Sequence, residues 1–145
     1  GLTIQQVHYE AFAKAFAAEV RRQLTADDLT GRIYSDGSLA AHEFDMQLAQ
    51  QLRHAGPWGQ RFPEPLFHGD FKILSQRLVG EKHLKLVLQS TKSAPAVDAI
   101  AFNVDLDVWP NPNILAAQAA YTLDVNEFRG RETLQLIVSS IMPSL

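Results

Sequence analysis

Apolar residues change their spacing once along this chain of 145 residues, from a helical period to an alternating one, and the change falls near Pro65. Upstream, Val7, Phe12, Phe16, Val20 and Leu24 recur at helical spacing, with Ala11, Ala13, Ala15, Ala17 and Ala18 between them. That spacing predicts a first helix. Thr3 followed by Gln6 reads as a capping box, and Arg21 and Arg22 fall in the last turn, where cations complement the helix dipole. Segment 31–35 predicts a short strand closed by an Asp36-Gly37 turn. Ser38 then caps a second helix with Phe44, Leu48 and Leu52 on one face, and Gly56 followed by Pro57 stops it.

Downstream of Pro65 the period becomes two. Phe71, Ile73, Arg77 and Val79 alternate with Lys72, Leu74, Gln76 and Leu78, which predicts a long, curved strand apolar on both faces. Gly80-Glu81 makes a turn, and Leu84, Leu86 and Leu88 then point opposite to His83, Lys85 and Val87. A third strand is predicted over 97–102, a fourth on Tyr121, Leu123 and Val125, and a fifth on Leu134, Leu136 and Val138, ended by Pro143. Segment 103–112 is a polar, Pro-bearing connection. The hairpin loop 126–131 (N-E-F-R-G-R) has Gly130 available for a left-handed residue. Five strands, a long first one and an insertion between the third and fourth predict a small OB-type β-barrel, so the fold class is α+β.

Between helix and barrel lies L-R-H-A-G-P-W-G-Q-R-F-P-E-P-L-F (52–67), where Gly56, Gly59, Pro57, Pro63 and Pro65 frame Trp58, Phe62 and Phe67. It is too apolar for a free linker, and the three aromatics are expected to pack the helix–barrel junction. Trp109 is expected to cap a barrel end. This length buries enough surface to fold without staples. Cys is absent, which fits a reducing cytoplasm and excludes zinc-finger and iron–sulfur readings. No run approaches the ~20 apolar residues of a membrane span. The first residue is Gly, so the chain is expected to be a piece of something longer. Net charge is −3, but it is polarised. Segment 68–93 holds Lys72, Arg77, Lys82, Lys85 and Lys92 against Asp70 and Glu81, whereas 98–109 holds Asp98, Asp105 and Asp107 with no cation.

Catalytic constellations are missing: no phosphate-binding Gly-rich loop, no H-E-x-x-H, no G-x-S-x-G. The five His are scattered, and neither His68-x-Asp70 nor His42-Glu43 gathers a third ligand. A two-metal nuclease needs several converging ligands. The chain alone is expected to be inactive.

The motifs A-G-P-W-G-Q-x-F-P-E-P-L-F, R-L-V-G-E-K-H-L-K, D-A-I-A-F-N-V-D and D-V-N-E-F-R-G-R-E-T-L-Q resemble the C-terminal part of the RecJ family of single-strand-specific DNA exonucleases, in its gammaproteobacterial form. The resemblance implies residues 1–56 as the tail of a DHHA1-type domain, whose Gly-Gly-His signature would precede Gly1, and residues 57–145 as the OB domain. It implies a parent enzyme that degrades single-stranded DNA 5′ to 3′ with Mn²⁺ or Mg²⁺, in recombination and mismatch repair, its metal ligands lying outside this sequence. No catalytic residue carries over. What remains is binding of single-stranded DNA, for which OB-type readers combine a cationic groove with planar side chains. The candidates are Lys72, Arg77, Lys82, His83 and Lys85 from the first two strands and their turn, Arg129 and Arg131 with Phe128 in the last hairpin, and Arg61. Phe128 either tucks under its loop or offers a stacking platform. A competing reading is a protein-docking module that takes the acidic, hydrophobic-tipped tail of a single-stranded-DNA-binding protein beside Val87 and Ile137. A third is a structural brace.

Overall fold

In the computed structural model, which describes residues 1–25 and 27–144, the first helical pattern folds as α1 (Tyr9–Gln23), led in by a 3₁₀ turn. The expected Thr3–Gln6 capping box does not form. The turn starts at Gln6 behind Gln5, with no side-chain cap. Glu19 holds Arg22 at 2.6 Å in the last turn. Phe12 and Phe16 stack at 5.7 Å, yet α1 buries none of its residues. It belongs to a small unit of its own, Gly1–Ile33.

The second unit, Tyr34–Leu145, holds everything else. Segment 31–35 forms no strand. Just beyond it lies an isolated parallel bridge between Gly37 and Phe67, with Gly37 at φ +122°, a value few side-chain-bearing residues adopt. The second helix, α2 (Met46–Ala55), is capped by Asp45, whose carboxylate accepts from the Leu48 amide, and not by Ser38. A 3₁₀ turn fills the interval, Ala41–Glu43.

The barrel strands are β1 (Phe67–Val79), β2 (His83–Gln89), β3 (Val97–Ala101), β4 (Ala116–Phe128) and β5 (Arg131–Pro143). They close in the order β1-β2-β3-β5-β4, antiparallel except for the β3–β5 pair. Leu84, Leu86 and Leu88 on β2, with Ala99 and Leu136, are sealed inside. The two apolar faces of β1 have a local cause. A bulge between Ile73 and Ser75 shifts the register against β2, so inward positions change parity within one strand. Beyond the bulge, the Gln76 side chain grips the Asn111 backbone amide and carbonyl and closes the 102–115 connection onto the barrel. Trp109 from that connection is buried.

Strand β4 begins five residues before its expected start, on an Ala-rich run with weak strand preference. The run is needed for space. Ala117 and Ala119 face Phe71 and Gly69 of β1, leaving room inside for the rings of Phe71, Tyr121 and Phe44, which pack at 5.3–6.0 Å. Phe44 and Ala49 are part of this core, with Leu48 and Leu52 against it. So α2 is a wall of the barrel unit. The compact units therefore divide at residues 33/34, whereas the sequence reading divided the chain at 56/57.

Candidate nucleic-acid interface

Cross-strand partners point to the same side of a sheet, so the register fixes the outer wall of the barrel. Arg77 of β1 lies opposite Lys85 of β2, Lys85 opposite Ile100 of β3, and Ile100 beside Ile137 of β5. Two cations directly opposed are unfavourable for a sheet unless an anion sits near them. One does: Asp98, on β3 two residues before Ile100, reaches Lys85 Nζ at 3.2 Å with its Oδ2. Lys85 is thus partly neutralised. Arg77, Lys72 and Lys82 are exposed and form no ion pair among the described residues. Lys82 sits in the β1–β2 turn, held by its carbonyl accepting from the Val104 amide. His83 is half-buried. Its Nδ1 accepts from the Asn103 amide at 3.3 Å, and its ring meets the edge of Phe102 at 5.1 Å. That makes His83 a positioned ring.

The second group is at the other end. Arg131 starts β5, and Val138, seven residues on, is level with Ala101 and so with Leu84 next to the β1–β2 turn. At 3.3 Å per residue the two tips are about 23 Å apart along the strands. The structure therefore does not gather the predicted residues into one cluster. It sets them at both ends of a wall. At the far tip, Arg129 and Gly130 both have positive φ, +52° and +74°, the pairing that makes a two-residue hairpin turn of the right twist. Phe128 does not tuck under the loop. It is 65% exposed, with the Arg129 guanidinium 5.1 Å over its ring. Arg61 is exposed too, in a tight turn closed by Gly59 and Phe62.

Two features escaped the sequence. Alternation along V-D-A-I-A does place Asp98 outward, but nothing local shows that it reaches Lys85 on the neighbouring strand. Phe62 was expected in the helix–barrel junction and is instead 58% exposed, while Trp58 bonds back to α2 and Phe67 packs on Tyr121 of the core. The five His stay apart, and among the described residues no group of three His or carboxylate side chains converges to hold a metal ion. The residues present do not fit a metal centre. No helix among the described residues is long and apolar enough to cross a membrane.

A closed five-stranded barrel with this strand order is an OB-type barrel. The family model of the RecJ OB domain matches residues 35–140, and the chain belongs to that family. It is 47% identical to the single-stranded-DNA-specific exonuclease RecJ of Salmonella typhimurium over 143 residues, 99% of this chain and 25% of that protein. The RecJ of Escherichia coli K12 gives the same identity and shares. The chain thus spans a quarter of the length of the curated relatives it matches. The crystal structure of RecJ from Thermus thermophilus in complex with Mn²⁺ aligns with a TM-score of 0.74 at 20% identity, over 100% of this chain and 20% of that one. At that identity the likeness is one of fold.

Proposed function

We propose that this chain is the DNA-handling part of a RecJ-type exonuclease, binding single-stranded DNA along the outer wall of its barrel. The parent enzyme cuts single-stranded DNA 5′ to 3′ in recombination and mismatch repair, with Mn²⁺ or Mg²⁺ held in a catalytic domain outside this chain. Residues 1–56 are the tail of a DHHA1-type domain. The observation that carries the reading is the opposed Arg77–Lys85 pair. Asp98 relieves only the Lys85 side of the pair, and Arg77, exposed and without an ion pair among the described residues, is left for a phosphate. Lys82 extends the track at the β1–β2 turn. Lys72, opposite Gln89, lies toward the other end, where Arg129 and Arg131 continue it, and Arg61 adds a cation in its own turn. The ~23 Å between the tips suits the roughly 4–16 nucleotides an OB barrel engages. Backbone contact without base-edge readout makes binding tolerant of sequence and sensitive to salt.

The test is fluorescence anisotropy of labelled poly-dT with the wild-type chain and with Arg77→Gln/Lys82→Gln. Losing two phosphate contacts should weaken binding and flatten log Kd against log salt by about 1.4, from ~0.7 per contact on single strands. Undiminished affinity with an unchanged slope refutes the wall. The second reading, an acidic and hydrophobic-tipped peptide from a single-stranded-DNA-binding protein, is favoured by Ile100 and Ile137 lying beside Lys85 in the same row. Competition between that peptide and poly-dT separates the two.

A further inference from the structure

We propose that Phe62, backed by Trp58, is a platform on which one base of the bound single strand stacks, with Arg61 beside it to take the adjoining phosphate. The inference rests on the DNA-binding reading above and adds a contact outside the barrel wall. Trp58 is the anchor. Its indole N–H donates to the Leu52 carbonyl at 3.0 Å, in the second half of α2. Phe62 stacks on Trp58 with centroids 4.9 Å apart and planes 28° from parallel, which uses one face of its ring. The residue is nevertheless 58% exposed.

The ring is also fixed in place. The Gly59 amide donates to the Phe62 carbonyl at 2.8 Å and the Phe62 amide to the Gly59 carbonyl at 3.0 Å. At Gly56, a Cβ would stand 2.8 Å from the Trp58 amide nitrogen and 3.3 Å from its indole Cδ1, so only glycine lets the chain pass so close to its own aromatic. A single exposed Phe is ordinary. A Phe held by two backbone bonds, backed by a second ring, and flanked by an Arg with no ion pair among the described residues is a pre-formed surface for a planar, anion-bearing ligand.

Its position suits a strand leaving the hairpin tip. Gln50 of α2 donates to Glu132 at the start of β5 at 3.0 Å, so the helix that carries the Trp58 anchor is also tied to the base of the hairpin bearing Phe128, Arg129 and Arg131. Two arginine–aromatic pairs thus flank one helix. A nucleobase fits this arrangement better than an apolar peptide, because a flat π-face with a guanidinium at its edge matches a base and its phosphate together.

The experiment compares poly-dT with an abasic oligonucleotide of equal length, on the wild-type chain and on Phe62→Ala, Phe62→Leu and Phe62→Trp. Stacking of one base predicts that Phe62→Ala and Phe62→Leu bind poly-dT roughly five- to hundredfold more weakly. Their affinity for the abasic strand should stay that of wild type, and Phe62→Trp should keep full poly-dT affinity. Crosslinking with a 5-iodouracil strand should label the peptide containing Phe62. The proposal is overturned if Phe62→Ala binds poly-dT as wild type does, if both ligands weaken equally, or if wild type binds neither. Unchanged binding by Phe62→Ala beside a clear loss in Arg77→Gln/Lys82→Gln would sink the platform and spare the wall.

Discussion

Replacing Asp98 by Asn should tighten single-stranded DNA on this chain at little cost to the fold. The Lys85 Nζ–Asp98 Oδ2 distance is 3.2 Å, and the two side chains keep 32% and 43% of their surface in water. A pair that exposed is worth about 0.2–1 kcal/mol, which is the energy a phosphate must displace before it can use Lys85. Removing the carboxylate returns that energy, an affinity gain of up to about fivefold at ~1.4 kcal/mol per decade. It also adds one cation to the neutralising set, so the dependence of log Kd on log salt should steepen by about 0.7. The fold should lose no more than ~1 kcal/mol, since Asn keeps the shape and the remaining Arg77–Lys85 repulsion is solvated. Anisotropy titrations with poly-dT from about 50 to 200 mM salt read both quantities at once. Adding Lys85→Gln to the Asp98→Asn variant should return the slope to its starting value. If Asp98→Asn leaves affinity and slope untouched while Lys82→Gln weakens both, Lys85 lies off the DNA path. If it weakens binding, Asp98 orders the wall instead of masking it.

Other outcomes follow from the same geometry. Arg129→Asn should hold the hairpin at least as well, because Asn tolerates the +52° φ that Arg adopts there, while losing the contact over Phe128. Thermal melts should show a change within about 1 kcal/mol, and the salt slope should flatten by about 0.7. Phe44→Ala should cost about 3–5 kcal/mol in chemical denaturation, as its ring fills the end of the core beside Phe71 and Tyr121. Correspondingly, a fragment starting at Tyr34 should fold cooperatively and one starting at Pro57 should not. Glu64 is held above the usual carboxylate range, first by burial and then by the Asp124 carboxylate. A raised carboxyl pKa favours the fold below the unfolded value and loses that benefit as pH climbs through the folded one. Glu64→Gln should therefore raise Tm at about pH 7, where free Glu is ionised, and leave it nearly unchanged in acid.

The strands were legible where side chains alternate in size as well as polarity. His83–Gln89 and Val97–Ala101 carry strict inward apolar sets, and both fall at their expected places. The fourth strand was half-hidden because Ala-rich sequence signals helix, and only the aromatic rings across the barrel explain why small residues belong there. The cap of α2 went to Asp45 over Ser38, since the 3₁₀ turn consumes the intervening residues. The missing 31–35 strand finds no sheet partner among the described residues, and the nearest bridge lies beyond it, at Gly37. For the site, residue types were legible but their grouping was not. Spacing along a chain cannot show that the β1–β2 turn and the β4–β5 tip face opposite ends of a parallel β3–β5 pair, because that follows from closure.

On the proposed reading, closure also explains how an acidic chain would serve a polyanion. The β3–β5 pair puts Asp98 and Gln135 side by side in the middle of the wall, and Asp124 follows on β4 beside Gln135. Cations are left for the two tips and for β1. A strand crossing such a wall is held at its ends and only lightly at its centre. Friction of that kind, strong enough to retain and weak enough to slide, suits a module that passes a strand onward more than one that stores it. Moving charge to the centre should tell these apart: with Asp98 and Asp124 both changed to Asn, equilibrium affinity rises while release slows in proportion. Joined to its catalytic domain, such a variant should bind more tightly yet degrade long strands in shorter bursts. A variant that binds more tightly and travels just as far would show that the central acids play no part in passage.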